Sequence, residues 1–163
     1  MSLIVDVLKA NKRLEKIHFT FGIIGSRDTG GNEISQWYTL APNLTVYGFD
    51  ADEDACEEVN QDLAGKNINW VEEHIPLALS NTEAEKTLHV TKALMCSSLY
   101  EPNEAFLKRF ASLNELMDLD FTLQLPTTTL DIFCQSRNIQ EIDFIHVDVQ
   151  GASQLCKVYL TRP

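Results

Sequence analysis

The feature that most constrains this chain is the alternation along it of short, β-rich apolar runs and segments with helical spacing. The run KIHFTFGIIG (16–25) ends in glycine, and NEISQWYTLA (32–41) carries Ile34, Trp37 and Leu40 at helical spacing. LTVYGF (44–49) reads as a second strand. EDACEEVNQDLAG (53–65) then sets Cys56, Val59 and Leu63 on one helical face, with acids opposite and Gly65 as its C-cap. Further strands are predicted over 68–79, 87–93, 121–126 and 142–149, and helices over 103–119 and 127–138. The last strand, IDFIHVDV, is apolar enough to predict cover on both faces. Strands and helices in this order predict an α/β fold, a mostly parallel, doubly wound sheet with right-handed crossovers. An amphipathic helix over 1–15 precedes a core over 16–153, and the 163 residues read as a single domain.

The net charge of -11 argues against a nucleic-acid surface, because phosphate backbones reward clustered Lys and Arg. No apolar run approaches the ~20 residues that span a bilayer, and the N-terminus lacks a signal peptide's layout. A cytoplasmic protein without membrane partners is therefore expected. Cys56, Cys96, Cys134 and Cys156 stand far apart with no CxxC pair, which fits reduced thiols rather than a disulfide framework. His18, His74, His89 and His146 show no metal-ligand spacing, and no metal site is expected.

In parallel sheets of this kind, ligands bind beyond the carboxyl ends of the strands where the topology reverses. The first strand ends at Gly25, the second at Asp50 and a late one at Asp148, so all three are expected on one rim. GSRDTGG (25–31) supplies three glycines between strand and helix, yet it is neither a Walker loop nor GxGxxG, and as a bare loop it reads as structural. Asp50 lies near the interval, about 20 residues past a glycine-rich turn, at which an acid binds ribose hydroxyls. The competing reading is a helix cap, and that reading suits Asp52 better than Asp50. Asp148 ends an apolar strand, where burying a carboxylate is costly unless it is paired or faces a ligand cleft. Gln150 and Gly151 follow it.

Six stretches, GSRDTGG, VYGFDADEDA, PLALSNTEAEKTLHV, SSLYEPN, TTTLDIF and IDFIHVDVQGA, occur in an order that resembles the FkbM-type methyltransferases. That resemblance implies the class I Rossmann-like fold with S-adenosylmethionine as cofactor, and 16–153 as the cofactor-binding core. It implies that Gly25, Ser26 and Asp28 lie at the methionine end, that Asp50 holds the ribose, and that Ala51 and Asp52 lie near the adenosine. Ala78 and Leu79 would line the adenine, Ser97 and Ser98 would belong to a substrate-side segment, and Asp148 and Gln150 would stand near the reacting methyl group. A small-molecule or sugar hydroxyl is the implied acceptor. The chain departs from the family at Ile23, where an acid is usual, at His146, where lysine is usual, and at Ser153, where glutamate is usual. It also stops at Pro163, which implies a sheet without the fold's last strands and an uncovered edge through which copies could associate. Two other readings stand beside the enzyme: a truncated or non-catalytic relative that keeps the nucleoside pocket, and a nicotinamide-dependent oxidoreductase, which the absence of GxGxxG disfavours.

Overall fold

In chain order the predicted strands and helices become α1 (Leu3–Ala10), β1 (Phe19–Ile24), β2 (Leu44–Asp50), α2 (Glu53–Ala64), β3 (Val71–Pro76) and β4 (Ala78–Leu79). They continue as β5 (Ala84–Thr91), α3 (Glu104–Leu107), α4 (Leu113–Leu116), β6 (Leu119–Thr128), α5 (Leu130–Ser136) and β7 (Phe144–Val147). The structure is a computed structural model, and it describes residues 3–27, 37–110 and 112–151. It divides into two compact units, residues 1–76 with 140–146 and residues 77–139 with 147–163.

The first unit is built on a four-stranded sheet in the order β3-β2-β1-β7. β1 pairs with β2, and β2 with β3, in parallel. Alternation along β1 and β2 sends Phe21, Ile23, Leu44 and Val46 into one buried cluster, against which Phe19, Trp37, Tyr38, Leu40 and Trp70 pack. Burying an aliphatic or phenyl side chain of this kind contributes about 1.5–3 kcal/mol. Trp37 also packs tilted against Phe21 and Phe144, with ring centroids 5.1 and 4.9 Å away. α2 starts where Asp52 accepts a hydrogen bond from Ala55 N and ends at Gly65, whose φ of -78° is right-handed, so this glycine closes the helix without the left-handed turn. From α2, Asn60 brackets the backbone of His74: its Nδ2 donates to His74 O at 2.6 Å and its Oδ1 accepts from His74 N at 2.8 Å.

The second unit holds a three-stranded sheet in the order β4-β6-β5. β4 runs parallel to β6, while β5 and β6 form a long antiparallel pair with a register shift between Val90 and Thr91. A second, largely antiparallel sheet departs from the single, mostly parallel one expected from sequence. Antiparallel pairs tolerate water on one face, and Leu119, Phe121 and Leu123 lie exposed at alternate positions of β6. The Thr129 hydroxyl accepts from Ile132 N and caps α5, which buries Leu130, Phe133 and Cys134.

Two further expectations are corrected. The helix predicted over 103–119 is interrupted: α3 and α4 have four residues each, and Ser112 between them takes a left-handed φ of 69° that no α-helical ladder accommodates. The strand expected to be covered on both faces, β7, leaves Phe144 43% and Val147 37% exposed, because it lies at an edge of the sheet order. Among the described residues Cys56 and Cys134 are buried free thiols and Cys96 is a half-buried one. No helix of the described residues is long and apolar enough to cross a membrane.

Gly48, in the middle of β2, is opposite His74 on β3. A Cβ added at Gly48 would lie 2.3 Å from His74 Nδ1 and 2.6 Å from its Cε1, so only glycine leaves room for that ring. Gly48→Ala is expected to lower unfolding stability by roughly 1–3 kcal/mol through overpacking. Gly65→Ala serves as the comparison, since its nearest contact would be an ordinary 3.5 Å and its φ is negative. That change should be neutral or stabilising by up to about 1 kcal/mol. Urea unfolding of the two variants checks the contrast, and equal losses would contradict the crowding at Gly48.

Candidate functional site

β1 ends in a glycine because the chain must turn there over the end of β2. Gly25 takes φ 83°, a conformation in which a side chain would be strained. The turn brings two amides onto one carbonyl: Gly25 N and Ser26 N donate to Phe49 O at 2.9 and 3.1 Å. The next amide, Arg27 N, donates to Asp50 Oδ2 at 3.0 Å, and Asp52 N donates to Asp50 Oδ1 at 3.0 Å. The carboxylate of Asp50 is thus gripped from two sides by backbone. Each of its oxygens keeps one further lone pair with which to accept from a ligand hydroxyl.

Of the two acids, Asp52 is the helix cap that the sequence suggested. Asp52 caps α2, through Ala55 N at 3.0 Å, and it forms an ion pair with the Arg27 guanidinium. Burial pushes the Asp52 carboxyl upward, but the Ala55 amide, the charge and hydrogen bond of Arg27 and a further backbone amide outweigh it and hold the group below the usual carboxylate range. Asp50 caps nothing. Beneath it, burial first and then the charge of Asp50 push the Cys56 thiol up to about 11.

Under the turn, Ser26 joins a set of residues that the sequence reading did not single out. Ser26 is buried, and its Oγ meets His74 Nδ1 at 3.0 Å. His74 Nε2 is 3.2 Å from Glu72 Oε1, and these two side chains are 0% and 2% exposed. Tyr38 OH donates to Glu72 Oε1 at 3.1 Å and Trp70 Nε1 to Glu72 Oε2 at 2.6 Å, while the Tyr38 and Trp70 rings stack at 4.6 Å. Burial raises the Glu72 carboxyl, but hydrogen bonds from His74 and Trp70, the charge of His74 and the Tyr38 hydroxyl hold it low overall, so it is ionised. Tyr38 is shifted far upward, by burial first and then by the charge and hydrogen bond of Glu72. Two signals in the sequence could have found this set: a glycine inside the otherwise apolar strand VYGFD, and Glu72 and His74 two apart on the next strand, hence on one face.

The first unit therefore brings Gly25, Ser26, Asp50 and Asp52 together, with Ala51 exposed between the two acids. Asp28 lies outside the described residues. The other expected residues belong to the second unit. Ala78 and Leu79 pair with Thr127 and Thr128. Ser97 Oγ accepts from Thr91 N at 3.2 Å. Ser98 is buried, its Oγ donating to Gln150 O at 3.0 Å and accepting from Tyr100 N at 3.1 Å. Gln150 and Gly151 both take positive φ, 44° and 86°. Asp148 is exposed and accepts from Gln150 Nε2 at 3.4 Å, so the cost of burial that drew attention to it does not arise. Among the described residues no group of three or more His, Cys, Asp or Glu side chains is arranged to hold a metal ion.

Compared with known families, the chain matches one described as the methyltransferase FkbM domain, over residues 29–152. No curated protein and no solved structure matches it.

Asp52→Ala is expected to lower stability by about 1 kcal/mol at neutral pH through loss of the cap, the part-exposed ion pair with Arg27 adding little. The folded carboxyl titrates below its ordinary value of 3.8, so its contribution is complete above that value. It fades as pH falls through the lowered folded value. Urea unfolding of both proteins across the acid range should show the gap between them closing, and a gap that widens in acid would contradict this account.

Proposed function

The chain belongs to the methyltransferase FkbM domain family, and on that premise we propose that it is an S-adenosylmethionine-dependent methyltransferase acting on oxygen of a small molecule or sugar hydroxyl. The observation that carries the reading is Asp50, at the carboxyl end of a parallel strand beside the Gly25 turn, with both carboxylate oxygens oriented by backbone amides. A vicinal diol fits such a carboxylate, because each oxygen retains acceptor capacity. In this reading the fold is the doubly wound, Rossmann-like class I sheet. Gly25, Ser26 and Asp28 attend the methionine end, Asp50 the ribose, Ala51 and Asp52 the adenosine, and Ala78 and Leu79 the adenine.

The cofactor, when bound, supplies an already activated methyl group, which leaves the protein little covalent chemistry. The chain's own residues bind, orient and exclude water. Asp50 fixes the nucleoside by its ribose, and the acceptor oxygen must then be held in line with the methyl group. Asp148 and Gln150 are the proposed contacts near the acceptor, with Ser97 and Ser98 on the substrate side. A cytoplasmic setting without nucleic-acid or membrane partners, and self-association of copies, complete the reading.

Ile23 favours a second reading, a relative that binds the nucleoside without turning it over. It stands where the family usually carries an acid, and it is 3% exposed within an apolar cluster. Calorimetric titration with S-adenosylmethionine, S-adenosylhomocysteine and NAD separates these readings. Micromolar binding of the first two is expected, with an affinity at least tenfold weaker, about 1.4 kcal/mol, in Asp50→Asn. Binding without turnover over a broad panel of hydroxyl acceptors supports the second reading. Binding of NAD alone, or unchanged affinity in Asp50→Asn, would remove both.

A further inference from the structure

Apart from Ser26, the buried set beneath the Gly25 turn has no part in the chemistry just proposed, yet it is costly to build. An ionised Glu72, an imidazole, an indole N–H, a phenol and a serine hydroxyl are withdrawn from water and satisfied by one another. The backbone makes room for it through Gly48, over which the His74 ring passes from β3 towards the end of β1. Asn60 holds the backbone of the same residue through both its N–H and its carbonyl. His74 is therefore fixed at its backbone, at each ring nitrogen and against the strand beneath.

The direction of the hydrogen bonds follows from the acceptor. An ionised Glu72 can only accept, so Nε2 of the ring donates to it, while Nδ1 on the far side of the ring meets the Ser26 hydroxyl. Ser26 is anchored in turn, and Arg27, whose amide reaches Asp50, is the next residue along the chain.

We infer that His74 is a positioning residue: held by Glu72 and Asn60, it fixes the Gly25–Arg27 turn through Ser26 and so aims the Arg27 amide that orients the Asp50 carboxylate. The consequence for nucleoside affinity rests on the function proposed above, whereas the aiming of the amide does not.

Amide NMR of the full chain without ligand tests the aiming directly. Arg27 N and Asp52 N donate to opposite oxygens of Asp50, so in the wild type both amides should be protected from hydrogen exchange with solvent. In Ser26→Ala, a subtractive change, the Arg27 amide should exchange at least tenfold faster while the Asp52 amide keeps its rate. His74→Phe should do the same, and the double variant should look like Ser26→Ala alone, because His74 acts through the hydroxyl. If His74→Phe does not fold, Ser26→Ala decides alone. An Arg27 amide that stays protected in folded Ser26→Ala overturns the inference, as does an equal loss of protection at Asp52, which would mean general loosening. Calorimetry with S-adenosylhomocysteine supplies the second arm, with an affinity at least tenfold weaker expected in Ser26→Ala. If the wild type binds no S-adenosylhomocysteine, the nucleoside reading falls and the NMR result still judges the positioning.

Discussion

One contact organises the first unit at its functional end: an imidazole on an outer strand reaches across a glycine to a serine at the end of the strand beyond. A parallel sheet keeps neighbouring strands about 4.8 Å apart, so a side chain from β3 reaches β1 only where β2 offers no side chain of its own. Gly48 is that gap. The ring fills it, and the polar atoms at its rim are satisfied by a carboxylate on one side and a hydroxyl on the other. The turn after β1 takes its shape from this contact and from the positive φ of Gly25. The carboxylate at position 50 is oriented by the amides that result.

Much of the first unit could be read from the residues. Alternating apolar runs located β1 and β2, and helical spacing located α2 with Cys56 inward. The capping role of Asp52 was also legible, because capping has a positional rule and Asp52 obeys it. The Ser26–His74–Glu72 chain was not legible as a whole, since its members come from two strands that are not neighbours and meet only once the parallel register sets Gly48 beside His74. Periodicity reports which face a residue takes, and says nothing of which strand lies next to it.

The second unit shows the same limit from the other side. The segments 87–93 and 121–126 were recognised as strands, yet nothing in their patterns told that they would pair antiparallel and extend to Ala84–Thr91 and Leu119–Thr128. The segment 103–119 has continuous helical spacing, but a single left-handed residue, Ser112, outweighs it. The apolar character of β7 was read as burial, whereas edge and centre strands can share a composition and differ only in their neighbours. The cap at Asp52 followed a local rule and was legible, whereas the burial expected of Asp148 depended on its surroundings, and that carboxylate is exposed.

The bracket that Asn60 places on His74 has a consequence for the protein's encounters with other chains. β3 is a terminal strand of its sheet, and such strands ordinarily offer open donors and acceptors on which a foreign strand can dock. Here the donor and acceptor at the middle of that strand are already occupied by a side-chain amide of the same molecule. An intruding strand would have to evict Asn60 to pair along the middle of β3, so a single residue of the covering helix guards this side of the sheet at that point.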